Sequence, residues 1–144
     1  MNNILIITYW SYKDALVQTY TLPYVKIIQE KLNPNQKIFL ITIDHETMKM
    51  DSEEYKYEKN KLLERNIHLI RFKYAHFGIL MSLNFLYIFC YLFFLTIFNK
   101  ISYIHTWCTP AGSIGYILSV LTRKKLILDS YEPQAEPMVE SNTW

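Results

Sequence analysis

The feature that most constrains this chain is a rhythm of short apolar runs set between helix-length stretches. Asn3 to Thr8 reads NILIIT, Lys37 to Ile43 reads KIFLITI and Ile67 to Phe72 reads IHLIRF. Ile101 to Thr106 is a fourth run, and Leu126 to Leu128 is apolar again. A run that is continuous rather than alternating suits a strand covered on both faces. Five such runs alternating with four helical segments predict an α/β fold with a doubly wound, mainly parallel sheet. Parallel neighbours need a crossover between them. In open α/β sheets ligands sit outside the carboxyl ends of the strands. The polar residues that follow each run are therefore the first place to seek a site.

The intervening stretches are less uniform. Ala15 to Leu32 carries Leu16, Val17, Tyr20, Tyr24, Ile27 and Ile28 at largely helical spacing, with Pro23 inside. Proline breaks a helix interior, so a kink or a fresh start is expected near Thr21, with Thr21 as N-cap. Asn33-Pro34-Asn35 ends the segment. Residues 49–66 are densely charged with alternating signs. That pattern predicts a solvated surface helix capped by Ser52 and argues against a nucleic-acid helix. Cys108 to Gly112 reads as a turn, and Ile114 to Leu121 as a helix.

The segment 77–98, FGILMSLNFLYIFCYLFFLTIF, has no charge and is long enough to span a bilayer. Spanning would put the third and fourth strands on opposite sides of the membrane, where they could not share a sheet. A non-spanning helix is expected, its surplus apolar surface lying against a membrane face or another domain. The basic cluster at 122–125 suits a helix end and would equally meet anionic lipid.

A length of 144 residues implies one domain or part of one. A hydrophobic share of 51% with 19% charged residues excludes a disordered chain. A net charge of +2 gives no case for nucleic acid as a partner. Cys90 and Cys108 provide no disulfide framework and suit a reducing compartment. The run Ile4 to Ile7 is too short for a signal peptide.

Recognisable chemistry is sparse. There is no G-x-G-x-x-G and no Walker lysine, and no cofactor is expected. Gly112-Ser-Ile-Gly115 at a helix start admits backbone approach to an anion or tight packing of helix on strand. His105 and Cys108 are too few for a metal site. Asp129 and Glu132 flank Tyr131 at a strand end, as a general base or as caps.

NILIITYWSYKDALVQTYTLPYVKII, together with ISYIHTWCTPAGSIGYILSVLTRKKLILDSYEP, resembles the N-terminal half of a GT-B glycosyltransferase of the family 4-like kind. IHTWCTPAG fills the place of that family's strand, histidine and small-residue helix. LILDSYEP fills the place of the next strand and its proline loop. The resemblance implies a Rossmann-like domain, one half of a GT-B architecture. Residues 1–144 would be an incomplete N-terminal domain lacking its C-terminal donor-binding partner, through truncation or as half of a split enzyme. Such a half binds the glycan or lipid-linked acceptor, while the nucleotide sugar sits on the missing domain, so the chain alone is expected to be inactive.

Asp129 then takes the catalytic place. Trp10, Tyr12, Lys13, His105, Thr109, Tyr131 and Glu132 form the acceptor wall, and Gly112 and Ser113 approach a phosphate. Two departures stand out. The first loop, Trp10 to Asp14, lacks the family's glycines, and Asp129-Ser130 replaces its histidine. The resemblance also implies a cytoplasmic protein, peripheral on the inner membrane face through 77–98 and 122–125. The competing reading is a small membrane-anchored scaffold or interaction protein with one span at 77–98.

Overall fold

The structure, a computed structural model, describes residues 2–75 and 78–129. The five apolar runs are five strands: β1 (Asn3–Thr8), β2 (Ile38–Asp44), β3 (Ile67–Lys73), β4 (Ile101–Trp107) and β5 (Lys125–Asp129). All pair in parallel in the order β3-β2-β1-β4-β5. This is an α/β, Rossmann-like sheet. All seven residues of β2 are buried. Continuous apolar runs predict just that for the sheet centre, since each strand there is covered on both faces.

Four helices return the chain: α1 (Leu22–Lys31), α2 (Ser52–Leu63), α3 (Ile79–Phe98) and α4 (Thr109–Thr122). Alternate strand residues feed two separate cores. Ile6, Ile38, Leu40, Ile67 and Leu69 pack with Val17, Val25 and Leu62 on the α1–α2 face. Leu5, Ile7, Phe39, Ile41 and Ile104 pack with Leu92, Ile114 and Leu118 on the α3–α4 face. Each side chain fully buried in this way contributes about 1.5–3 kcal/mol.

Local expectations are corrected at three places. Thr21 is not an N-cap: its backbone is helical and its side chain makes no capping bond. A π-helical turn over Val17–Thr21 leads straight into α1 and leaves Pro23 in the first turn, where its missing N–H costs little. Asp51, not Ser52, caps α2, its carboxylate accepting the Glu54 N–H at 2.8 Å. The expected turn at 108–112 is instead the start of α4. Pro110 lies in its first turn, where the fixed φ of proline favours a helix.

Candidate functional site

Strand order reverses between β1 and β4, and the crevice at this reversal is where open α/β sheets bind ligands. The residues beyond the carboxyl ends of β1 and β4 meet there. Cys108 links β4 to α4 with φ 74°, a left-handed conformation that costs a non-glycine residue about 1–3 kcal/mol. Its N–H donates to the Asp129 carbonyl at 3.0 Å, which ties the start of α4 to the end of β5. Among the described residues no side chain caps α4.

Asp129 ends β5 in register with Trp107. His105 lies two residues before Trp107 on the same face, their rings 5.3 Å apart. Burial lowers the His105 pKa, and the nearby Asp129 carboxylate opposes that shift. Thr109 is exposed at the first position of α4, and its carbonyl accepts the Ser113 hydroxyl at 3.2 Å. His105 and Asp129 thus stand on the α1–α2 face, whereas Thr109 and Ser113 belong to α4 on the other face; the four have the carboxyl half of the sheet in common.

Gly112 sits differently from a phosphate-approach residue. Its N–H donates to the Cys108 carbonyl, and a Cβ there would lie 2.6 Å from Leu128 Cδ1. A Cβ on Gly115 would press on Thr106 Cγ2 and stand 3.1 Å from Leu126 Cδ1. Both glycines face the sheet and let α4 lie close against β4 and β5.

The first loop divides. Trp10 is half-buried and packs against both cores, and its carbonyl accepts the Ile43 N–H at 3.1 Å. Tyr12 is only 3% exposed. Its hydroxyl donates to Glu58 at 2.9 Å, and burial followed by that carboxylate raises its pKa strongly. Lys13 pairs with Glu54 at 3.1 Å. Both side chains therefore line a groove of about 480 Å³ between α1 and α2, away from His105 and Asp129. Tyr131 and Glu132 lie outside the described residues.

A second group at the same sheet end was not singled out from the sequence. His45, after β2, stacks on Tyr74, after β3, with centroids 4.3 Å apart; Tyr9, after β1, meets both edge-on. The His45 N–H donates to Ser11 Oγ at 2.7 Å, and Ser11 Oγ donates to the Ile43 carbonyl at 3.4 Å. Asp44 and Arg71 pair at 3.4 Å beside them, and the Arg71 guanidinium lies 4.1 Å over the Tyr55 ring. Burial raises the Asp44 pKa, and the Arg71 charge offsets part of that rise. A groove of about 470 Å³ opens here, lined by Asp44, Glu46, Lys49, Arg71, Lys73 and Tyr74. The signal was available: these residues lie at or just beyond the carboxyl ends of β2 and β3, as His105 and Asp129 lie near the ends of β4 and β5. Among the described residues, no three His, Cys, Asp or Glu side chains converge as metal ligands.

No family model matches the chain, and no curated protein matches it in sequence. Solved structures do match in fold. The C-terminal domain of a hydrogenase from Pyrococcus furiosus superposes with TM-score 0.57 at 15% identity, covering 89% of this chain and 91% of that domain. MurG from Acinetobacter baumannii superposes with TM-score 0.56 at 7% identity, covering 89% of this chain. The chain spans 34% of that MurG structure, about a third of its length. At these identities the likeness shows a Rossmann-like fold.

Proposed function

We propose that this chain is the acceptor-binding, N-terminal half of a GT-B glycosyltransferase, acting on a glycan or lipid-linked acceptor. The observation that carries the reading is the switch-point crevice. It holds polar side chains, and the sequence carries no glycine-rich phosphate loop there. Such a crevice is better suited to hydroxyl groups than to a nucleotide pyrophosphate. The fold likeness to MurG, a GT-B glycosyltransferase, is consistent with it. In this reading the nucleotide sugar is held by a second domain, and sugar transfer takes place between the two.

Asp129 then accepts the proton of the attacking acceptor hydroxyl as general base. In this reading His105, whose pKa burial lowers, lies near Asp129, and Thr109 and Ser113 flank the acceptor from the start of α4. Trp10 supports this wall from the first loop, whereas Tyr12 and Lys13 serve the packing of α2. The reading is tested by nuclear magnetic resonance titration of the labelled chain. A detergent-dispersed polyprenyl-linked disaccharide is expected to shift amides at 105–113 and 129, and UDP-glucose to leave them in place. Shifts at the start of α4 caused by UDP-glucose alone would reverse the assignment. So would turnover of UDP-glucose by the chain without a second domain.

A further inference from the structure

Between Glu64 and Asp129 the sequence contains no acidic residue. That interval builds α3, β4, α4 and most of β5, and so the entire α3–α4 layer. The helix α3 is apolar around its whole circumference, with mean hydropathy 2.0 in its most apolar window. It nevertheless buries one stripe only, Ile88, Leu92 and Thr96, spaced four residues apart. Phe89, Phe93 and Leu95 are partly buried against the core, and most of the remainder is exposed: Leu80 is 76% exposed and Phe98 77%. Beside it α4 extends the same surface with exposed Tyr116, Val120 and Leu121. An apolar surface made by two adjacent helices is larger than a soluble monomer ordinarily leaves uncovered. Both helices run back towards the amino end of the sheet, and there Lys100, Arg123, Lys124 and Lys125 edge the apolar face.

We infer that the α3–α4 face docks in the plane of an anionic lipid bilayer. The exposed apolar side chains enter the acyl boundary, and the cations at its edge meet the headgroups. Two features of the structure select this occupant. First, β3 and β4, which α3 joins, belong to one sheet, and Ile88 and Leu92 sit in its core. A helix held this way lies on a membrane rather than through it. Second, among the described residues the face carries cations and no anion. A second copy docked through the same face would set those cations against themselves. An uncharged protein surface would leave them without counter-charge. The inference concerns the membrane partner and stands apart from the choice of substrate.

The test is co-sedimentation of the full chain with phosphatidylcholine vesicles, with and without phosphatidylglycerol. Binding is expected on the anionic vesicles, weakening as salt shortens the screening length below about 10 Å. Replacing Lys124 and Lys125 together by Gln should lower partitioning roughly 25-fold. Leu83→Asp combined with Phe94→Asp should abolish it while leaving the circular dichroism spectrum unchanged. The Gln variant lies outside the core, so it decides the matter even if the Asp variant unfolds. Equal binding to both vesicle types at all salt concentrations overturns the inference. So does resistance to alkaline carbonate extraction, or a discrete oligomer with no vesicle binding.

Discussion

At the residue scale the most informative group is His105. Burial lowers its pKa from the ordinary 6.5, with the Asp129 carboxylate pulling in the opposite direction. Between the lowered value and 6.5 the folded chain binds fewer protons than the unfolded one. Stability therefore rises with pH through this window, and is lost as pH falls from 6.5 towards the lowered value. His68 is lowered too, first by burial and then by Lys37 and Lys59, and contributes with the same sign. Urea denaturation from about pH 7 down to about pH 5 should show a falling midpoint. His105→Gln should flatten that slope in part, and a further His68→Gln should flatten it again. A midpoint that climbs on acidification would contradict the assignment. The sequence showed His105 at a strand end but not its burial, because burial depends on Trp107 and on the α1–α2 layer.

At the element scale the contact of α4 with the sheet separates two uses of glycine. Gly115 faces Thr106, a β-branched residue fixed in a central strand, so an added methyl has no room. Gly112 faces the tip of Leu128, which is 52% exposed and free to rotate away. Gly115→Ala is expected to cost about 1–3 kcal/mol by overpacking, only partly offset by about 0.5–1 kcal/mol of helix propensity. For Gly112→Ala the propensity gain should roughly cancel a small clash, leaving stability nearly unchanged. Urea titrations of the two variants check this, and equal losses at both positions would show that the two contacts do not differ. Helix limits were legible where periodicity and proline agreed. The cap of α2 was missed because Asp51 and Ser52 are both good caps, and backbone geometry chose between them.

At the scale of the whole molecule, protection should follow sheet position. β2 is buried along its length, whereas among the described residues β5 is an edge strand with Ile127 and Leu128 exposed. Amides of β1 and β2 are expected to exchange slowest, and those of β5 fastest among the strands. Hydrogen exchange read by mass spectrometry checks this, and a β5 as protected as β2 would mean that its edge is covered in solution. The apolar pattern alone determined five strands, the helices between them and a parallel sheet. A continuous apolar strand is stable only when both faces are covered, and that requirement is written locally. Only the tertiary structure decided the strand order, and with it the company each loop keeps. It turned Tyr12 and Lys13 towards α2, gathered Tyr9, His45 and Tyr74 from three separate loops, and left most of α3 bare. Those outcomes depend on contacts between residues distant in sequence, which no local pattern encodes.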